Sequence, residues 1–497
     1  MKICFLLQRN FAYIGHFLAM NLKERYGIED FCAYVQTQKS YDYITSQKDI
    51  NYGRILFDED LHERYKDEII DYVFLNWLEK EYGFPNLWPY LTIDRIVMSG
   101  QLVREYPYDQ PQYSYEEMLK LVQIKAKAII KFLEEEKPDV VFFSVISAIG
   151  SMLLYRIARK MNIKTLVVFS CLMKERYILT ECHSHVVLSG DNKCESRSDP
   201  YYKEAEKFIS DYRLAPYPHQ YHISPNEQAI DRTKQLKFLH PKNTVNFIIF
   251  YFGQIKNFLI NNKKFRYSDI TPGNYLVDRI KRKIRNIRGV SDLYDKMDRN
   301  DNFAFYPLQY EPEFSLLVQA PFFTDQLYVI KQIARSLPVG FKLYVKEHPQ
   351  MVEYRPRAFY KKLKNIPNVK LINPKVKSFE IYRNVKLVTT ITGTAGWEAT
   401  LLKIPVIVFG DNMYNTLSFV KKCKTIEDLP FLVKSQLENY KYSEEELRLF
   451  VASLLKQSAK INLHYLWSRE KDFSKKQEGI IPLADLLARN LGLTPKN

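Results

Sequence analysis

The segment with the clearest potential for chemistry is TITGTAGWEA, residues 390–399, where a β-branched run enters a turn of small residues and then a helix. Small residues let the backbone approach an anion, and the amides at a helix start bind phosphate with help from the helix dipole. We expect Gly393 and Gly396 to open the turn, and Thr392 and Thr394 to add hydroxyl donors. The segment has neither the Walker nor the GxGxxG pattern, which disfavours a P-loop kinase and a dinucleotide dehydrogenase. An ordinary strand-to-helix turn is the alternative.

A second group of candidates follows two other predicted strands. His348 precedes Pro349, and proline favours an extended backbone for its predecessor, so the imidazole is expected at the end of the strand. A protonated imidazole there can donate to a leaving phosphate, whereas a histidine that only packs or caps locally is the alternative. In LQYEPE, Gln309 and Glu311 are expected to face a ligand, and Glu313 either faces it or is solvated.

These candidates stand at the ends of strands that alternate with helices between residues 302 and 410. Strands are predicted over 303–309, 341–349, 369–374, 385–391 and 404–410, with helices over 325–337, 357–366 and from about 395. Such alternation predicts a parallel, doubly wound sheet, in which ligands bind beyond the carboxyl ends of the strands. The sequence therefore predicts a ligand crevice lined by the candidates.

The first half shows a similar but more interrupted pattern. MKICFLL, EDFCAYV, PDVVFFSV and IKTLVVFS read as strands separated by helices, and residues 61–135 read as mostly helical. The predicted fold is α/β, with two Rossmann-like doubly wound parallel-sheet domains that face a cleft and carry helical insertions. The predicted parts are an N-terminal acceptor-side domain (1–200), a basic helical insertion or connector (201–300), a C-terminal nucleotide-binding domain (301–430) and helices that pack back (431–497).

Cysteine usage and the first residues bear on the compartment. The six cysteines are scattered without a paired framework, which favours a reducing, cytoplasmic environment. We expect no secretory signal, because MKICFLLQRN is typical of a strand. We expect no membrane-spanning segment, because the apolar segment 245–260 is interrupted by polar residues. The Cys182–His185 run has no standard zinc spacing, and the alternation over CHSHVV favours a strand, so no metal site is predicted.

The net charge of +16 is unevenly spread, since residues 241–300 hold 13 Lys and Arg against 5 Asp. Such a stretch could contact anionic lipid, a phosphorylated acceptor or nucleic acid, or it could be a solvated helix face. Nucleic acid is the weakest option, because no recognised binding motif accompanies the charge. The expected partner is an anionic membrane surface, which would make the chain peripheral on the inner face of the plasma membrane.

YPLQYEPE, DQL, YVKEHP, NVKLI and TITGTAGWEA…PVIVFG, in this order, resemble the capsule polysaccharide biosynthesis family. Its best-understood members are transferases of the Kdo type that use a CMP-activated sugar. The resemblance implies a GT-B-like glycosyltransferase that builds a surface polysaccharide, with the C-terminal half holding the nucleotide. It implies that the CMP phosphate is bound by His348, Pro349, Thr392, Gly393, Thr394 and Gly396, and that Glu398 faces the ribose or base.

The resemblance also implies a catalytic acid from the N-terminal half. Candidates follow the predicted strand that ends at Ser170, where Glu175, Arg176 and Glu181 are expected at the cleft edge. Glu175 is the predicted catalytic residue, with an ordinary surface glutamate as the alternative. His348 and the Thr/Gly turn would stabilise the leaving phosphate without a metal, so the expected donor is a CMP-sugar co-substrate, the acceptor is a polysaccharide or glycolipid, and no resident cofactor is expected.

The same motifs are also compatible with three other functions. Teichoic-acid glycerophosphotransferases also carry a His-Pro after a strand and transfer a phosphopolyol from a CDP-activated donor. A UDP-sugar 2-epimerase-like enzyme would have a similar two-domain cleft but need no acceptor. A non-catalytic capsule assembly or export protein could have kept the fold and would use residues 241–300 for docking.

Overall fold

The computed structural model describes residues 1–82, 86–99, 111, 113–188, 193–217, 232–261, 266–267, 271–352 and 354–496. Part of the basic segment predicted over 201–300 therefore lies outside the described residues. The strands are β1 (Lys2–Leu7), β2 (Asp30–Val35), β3 (Tyr52–Phe57), β4 (Val140–Phe143), β5 (Lys164–Ser170), β6 (Arg176–Thr180), β7 (Asn302–Pro307), β8 (Phe341–Lys346), β9 (Val369–Ile372), β10 (Leu387–Thr390), β11 (Val406–Val408), β12 (Val420–Lys422) and β13 (Ser458–Lys460).

Helices connect and flank these strands. They are α1 (Phe11–Tyr26), α2 (Gln38–Ser46), α3 (Asp58–Glu63), α4 (Tyr72–Glu81), α5 (Trp88–Thr92), α6 (Arg95–Ser99), α7 (Tyr115–Glu136), α8 (Ile149–Lys160), α9 (Pro200–Leu214), α10 (Arg232–Leu236), α11 (Pro241–Asn261), α12 (Pro272–Arg288), α13 (Phe314–Leu317), α14 (Gln326–Ser336), α15 (Arg357–Lys364), α16 (Ser378–Tyr382), α17 (Thr394–Leu401), α18 (Leu429–Glu438), α19 (Glu444–Gln457), α20 (Leu463–Ser468) and α21 (Phe473–Leu491).

The C-terminal sheet is parallel throughout, with strand order β12-β11-β10-β7-β8-β9. The chain runs outward from β7 to β9 and then returns to the centre to run from β10 to β12. This reversal creates a topological switch point between β7 and β10, where an open α/β sheet forms its crevice. The sequence prediction of a doubly wound parallel sheet is confirmed here, although it missed the short edge strand β12.

The N-terminal sheet has the order β13-β6-β5-β4-β1-β2-β3, with its own switch point between β1 and β4. Strands β1 to β5 are parallel, whereas β6 and β13 pair antiparallel at one edge. The predicted Rossmann-like parallel sheet is confirmed over β1 to β5, and two antiparallel strands extend it at this edge. The strand predicted over CHSHVV is wrong, because β6 ends at Thr180 and residues 181–188 are irregular.

Each half of the molecule is completed by a segment that belongs to the other half in the sequence. Strand β13 joins the N-terminal sheet from the far end of the sequence, and α21 packs against α1. Conversely, α9 packs against α19, and its buried side chains join the hydrophobic core that contains Trp397. The indole nitrogen of Trp397 donates to the carbonyl of Leu172 at 3.0 Å, which ties α17 to the N-terminal half. None of the helices in the described ranges is long and apolar enough to cross a membrane.

Candidate functional site

A cavity of about 1700 Å³ lies between the carboxyl ends of the two sheets. Residues that follow β1, β4 and β5 form one wall, and residues that follow β7, β8 and β10 form the other. The predicted positions that line it are His348, Pro349, Thr392, Gly393, Thr394, Glu398, Gln309 and Glu313. The structure therefore brings the His-Pro pair and the Thr/Gly turn to one crevice, as the strand-end rule predicts.

The turn after β10 is shaped by its own hydrogen bonds. The amide of Gly393 donates to the Thr390 hydroxyl at 3.0 Å, and its carbonyl accepts from the Tyr414 hydroxyl at 2.9 Å. A Cβ at Gly393 would lie 2.7 Å from Thr390 Oγ1, so only glycine fits. Helix α17 begins at Thr394 with no side-chain cap, and in its first turn the Gly396 amide donates to the carbonyl of Gly393 at 3.1 Å. The positive end of the helix dipole is therefore not neutralised by a side chain. This turn is therefore suited to receiving an anion.

Gln309 and Thr392 hold that turn in place across the switch point. Gln309 Nε2 donates to Thr392 Oγ1 at 3.1 Å, and the Thr392 amide donates to Gln309 Oε1 at 3.3 Å. The Thr392 hydroxyl in turn donates its proton to the carbonyl of Ser315 at 2.8 Å. Because a hydroxyl has a single proton, Thr392 cannot also donate to a phosphate in this arrangement. In this arrangement Gln309 and Thr392 position the turn, and the donor role of Thr392 towards a ligand stays a prediction.

His348 stands directly after β8 with an extended backbone, as expected before a proline. Its Nδ1 accepts a hydrogen bond from the Gln350 amide at 3.3 Å. This contact assigns the proton of the neutral ring to Nε2, which makes Nε2 a donor in either charge state. The ring of Tyr310 packs edge-on against the imidazole, with centroids 5.8 Å apart. The imidazole is thus oriented from two sides at the cavity wall.

A buried charge network connects the strand ends beneath these residues. Arg355 is 1% exposed, pairs with Glu347 and donates to the carbonyl of Gln309 at 2.8 Å. Glu347 also accepts from the His348 amide at 2.7 Å and from the Tyr360 hydroxyl at 2.8 Å. The network therefore fixes the backbone after β7 and after β8, on the C-terminal wall of the cavity. No sequence pattern marked Arg355, although a buried carboxylate beside a strand end, such as Glu347, requires a nearby cation.

Glu311 belongs to this network and not to the cavity wall. Its carboxylate lies 3.3 Å from Arg355 Nη2 and accepts from the Gln326 side chain. The structure therefore does not bring Glu311 to the cavity wall, where it was predicted to face a ligand. Gly396 is also displaced from its predicted role, because a Cβ there would collide with the Tyr414 hydroxyl. It is required for packing and does not line the cavity.

Lys346 and Glu398 add polar groups deeper in the crevice. Lys346 Nζ donates to the Val376 carbonyl at 3.0 Å and to the Ser378 hydroxyl at 2.8 Å. Burial lowers the pKa of Lys346 to about 8, although the charge of Glu398 opposes that shift. Glu398 is 4% exposed and accepts from the Tyr382 hydroxyl at 2.9 Å. An ammonium beside a carboxylate at a cavity wall can hold a phosphate oxygen and a hydroxyl-bearing ligand together.

The predicted catalytic residue Glu175 does not reach the cavity. It lies in the turn between β5 and β6 at φ +58°, where its carboxylate accepts from the Asn462 side chain at 2.7 Å. Its backbone carbonyl accepts from the amide of Ile461 at 2.7 Å, next to β13. Glu175 therefore stabilises a hairpin, and the structure does not bring this predicted catalytic residue to the cavity.

Asp94 is instead the carboxylate of the N-terminal half that lines the cavity, among the described residues. It accepts from the amides of Ile96 at 3.0 Å, Val97 at 3.2 Å and Ile149 at 3.0 Å. Burial raises the pKa of Asp94, while these amides oppose the rise. No sequence signal marked it, because it lies between two short helices and not after a strand.

The Cys182–His185 run lies on the same side of the cavity, and His185 lines it. Cys182 Sγ is 3.3 Å from His185 Nδ1 and 3.4 Å from Ser184 Oγ. Burial by itself would raise the pKa of this thiol, but hydrogen bonds from His183, His185 and Ser184 lower it to about 4. In the part of the chain that the structure covers, no group of three His, Cys, Asp or Glu side chains is placed to hold a metal ion.

Residues 243–426 match the family described as "Capsule polysaccharide biosynthesis protein". Over 129 residues the chain is 30% identical to Protein FixF of Sinorhizobium fredii (strain NBRC 101917 / NGR234), and this match spans 26% of the chain and 31% of the length of that relative. The matched family segment begins within α11 and includes α12, so it overlaps the basic segment predicted over 201–300.

Two of the similar solved structures are the KpsC β-Kdo 2,7-transferase of Thermosulfurimonas dismutans and a UDP-N-acetylglucosamine 2-epimerase of Listeria monocytogenes. The first is 11% identical and covers 73% of this chain and 89% of that one, with a TM-score of 0.32. The second is 12% identical and covers 91% of this chain and 90% of that one, with a TM-score of 0.25. Likenesses this distant carry no argument about activity. The family match and the order of the motifs agree over residues 243–426, and this segment is similar to the capsule polysaccharide biosynthesis family.

Proposed function

We propose that this chain is a glycosyltransferase that moves a sugar from a nucleotide donor onto a growing capsular polysaccharide or glycolipid. The observation that carries the proposal is the convergence of His348 and the uncapped start of α17 on one cavity between two Rossmann-like sheets. A sugar nucleotide needs a phosphate site, and the opposite wall leaves room for an acceptor. We favour a CMP-activated donor of the Kdo or another ulosonic type, in keeping with the family.

The phosphate of the donor would be bound by the first amides of α17 and by the Nε2 proton of His348. When the bond between the anomeric carbon and the phosphate oxygen breaks, negative charge grows on the leaving nucleotide. Preorganised donors stabilise such charge because they need no reorganisation during the step. Lys346 adds a positive charge at the same wall. These groups supply the stabilisation from the protein itself, so the proposal needs no resident metal or cofactor.

The remaining groups have roles set by their position. We place Glu398 against the hydroxyls of the nucleotide sugar, since a buried carboxylate is a strong acceptor. Asp94 replaces Glu175 as the acidic residue on the acceptor side, because it reaches the cavity from the N-terminal half. A carboxylate with a raised pKa is better matched to accepting a hydroxyl proton near neutral pH.

A nucleotide panel is the first test. Thermal unfolding of the purified protein is followed with CMP, CDP, UDP and GDP at equal concentrations. CMP is expected to raise the midpoint most, because ligand at about a hundredfold excess over its Kd adds about 2.7 kcal/mol of stability. No stabilisation by any nucleotide would contradict the proposal.

Product analysis separates the rival functions. Incubation with a CMP-activated ulosonic acid and an oligosaccharide acceptor is expected to yield a lengthened acceptor and free CMP. Preference for CDP with transfer of a phosphopolyol would instead identify a polyol phosphotransferase. Conversion of a UDP-sugar without an acceptor would identify an epimerase. We also place the activity in the cytoplasm at a membrane surface.

A further inference from the structure

Helix α11 buries almost none of its apolar side chains. No residue in Pro241–Asn261 belongs to the core, although the helix is rich in Ile, Leu and Phe. Ile249 and Phe252 are each 65% exposed, and Leu259 is 70% exposed. An apolar helix that leaves such side chains in water is unfavourable unless another surface covers them.

Six of the seven exposed large apolar side chains of α11 form one stripe. At about 100° per residue, they fall within an arc of about 120° on one side of the helix, which is about 30 Å long. The members of this stripe are Val245, Ile248, Ile249, Phe252, Leu259 and Ile260. The neighbouring side of the helix packs on α12, where the ring of Phe250 lies 6.0 Å from that of Tyr275.

Helix α12 continues the surface with both apolar and basic residues. Val277, Ile280, Ile284 and Ile287 are each about half exposed and recur at the spacing of one helix face. The two helices together carry eight Lys and Arg and a single acidic residue, Asp278. Asp278 is paired with Arg282 at 2.7 Å. The surface of the two helices therefore combines exposed apolar side chains with a strong positive charge.

The two helices are fixed to the rest of the molecule. Arg285 Nη1 donates to the carbonyl of Tyr354 at 2.6 Å, and Arg357 Nη1 donates to the carbonyl of Gly289 at 3.1 Å, close to the segment that follows His348. Between the helices, Tyr267 donates to Asp58 in the N-terminal half at 3.0 Å and stacks on His62 at 3.4 Å. A partner surface that binds α11 and α12 would therefore also set the orientation of the cavity relative to that surface.

We propose that α11 and α12 dock this protein onto an anionic lipid bilayer, with the α11 stripe in the acyl boundary and the basic residues at the headgroups. Helices of this kind lie in the plane of the interface, held by apolar burial and attraction to anionic lipid. A second copy of the chain is a poorer occupant, because two surfaces with the same large positive charge would repel each other. The bilayer would be the surface at which the proposed transferase works, and binding to it can be measured without any donor sugar.

The test is co-flotation of the full chain with vesicles of phosphatidylcholine, with and without phosphatidylglycerol. Phosphatidylglycerol is expected to increase binding at least about tenfold, and added salt is expected to weaken it. Equal binding to both vesicle types, or no binding at low ionic strength, would overturn the proposal. Because no donor is present, this result is independent of whether the nucleotide panel succeeds.

Variants then locate the surface. I249S/F252S/L259S is expected to reduce binding at least about tenfold at any salt concentration, because it removes the apolar contact. K242Q/K256Q/K281Q is expected to lose about fivefold per charge and only on phosphatidylglycerol vesicles. The matched control F322S/V339S removes exposed apolar residues elsewhere (84% and 104% exposed) and should bind like the wild type.

Two outcomes would assign the surface differently. Wild-type binding by I249S/F252S/L259S, with an unchanged circular dichroism spectrum, would show that α11 is not the contact. A concentration-dependent dimer in light scattering that this variant abolishes would identify a second copy as the occupant. Either result overturns the bilayer proposal.

Discussion

In each half of the molecule a glutamine donates a hydrogen bond across the switch point, and a helix begins at the cavity. The two helix starts differ in whether a carboxylate already accepts from their amides. After β1, Gln8 Nε2 donates across the first switch point to the Ser144 hydroxyl at 2.9 Å, and after β7, Gln309 donates across the second to Thr392 at 3.1 Å. In each half a helix then starts at the cavity. The start of α8 already holds a carboxylate, because the Ile149 amide donates to Asp94 at 3.0 Å. The start of α17 has no side-chain cap.

This difference explains which half can take an anion. A helix start that already binds a carboxylate repels a phosphate, whereas an uncapped one attracts it. In the proposed transferase, the start of α17 would therefore face the donor phosphate and the start of α8 would face the acceptor.

Removing the cation under the C-terminal turn should have the largest effect. Arg355→Met leaves the buried Glu347 and the partly exposed Glu311 without their partner, which is expected to cost about 3–5 kcal/mol of unfolding free energy. Chemical denaturation measures the loss. Arg357→Ala breaks the more exposed pair with Asp292 and should be far milder. Equal losses in the two variants would mean that the network does not stabilise the site.

Removing the imidazole should disable the donor wall without unfolding it. His348→Ala is expected to lower kcat about 10²–10³-fold, the effect of losing one donor to a developing charge. Steady-state transfer is measured beside His240→Ala, whose histidine is exposed and outside the cavity. Unchanged turnover in His348→Ala would remove the assigned role.

The role of the acceptor wall is tested by comparing a substitution of Asp94, the acid proposed from the structure, with one of Glu175, the acid predicted from the sequence. Asp94→Asn is expected to lower transfer about a hundredfold, whereas Glu175→Gln should leave it unchanged because Glu175 lies outside the cavity. Rates and nucleotide affinity are measured together, since a base alters kcat and not donor binding. The opposite ranking would restore the sequence-based assignment.

These residues show which parts of the candidate site can be predicted from the sequence. His348 and the turn at Gly393 were found because each follows a strand in a βαβ repeat, and strand ends in a parallel sheet meet at one edge. Asp94 lies between α5 and α6, far from any strand end, so no pattern indicated that it reaches the cavity. The roles of Gln309 and Glu311 required hydrogen-bond partners that are distant in sequence, such as Arg355 and Gln326.

The same limit applies to the fold. The C-terminal sheet was predicted because its strands are contiguous and amphipathic helices separate them. The N-terminal sheet takes its last strand from residues 458–460, across the whole intervening domain. Strand pairing over such a distance leaves no local trace, which is also why Glu175 was mistaken for a cleft residue when it supports the edge next to β13.

A milder test concerns the charge at the donor wall. Because burial lowers the pKa of Lys346 to about 8, its ammonium is present below that pH and is lost above it. The Kd for CMP is expected to rise by up to about tenfold per pH unit above pH 8. Calorimetry across this range measures it. Lys346→Met should abolish the pH dependence, and Lys342→Met on the same strand should keep it.

The smallest expected change is at the N-terminal wall, where Cys182 contacts His185. With a pKa of about 4, Cys182 is a thiolate from pH 5 to 8, so its alkylation by iodoacetamide should be nearly independent of pH there. The other five cysteines are buried, so labelling followed by mass spectrometry should report on Cys182. His185→Gln removes one hydrogen bond that lowers this pKa, and the rate should then rise with pH. A wild-type rate that increases about tenfold per unit, as an ordinary thiol does below its pKa, would show that the imidazole does not hold the thiolate.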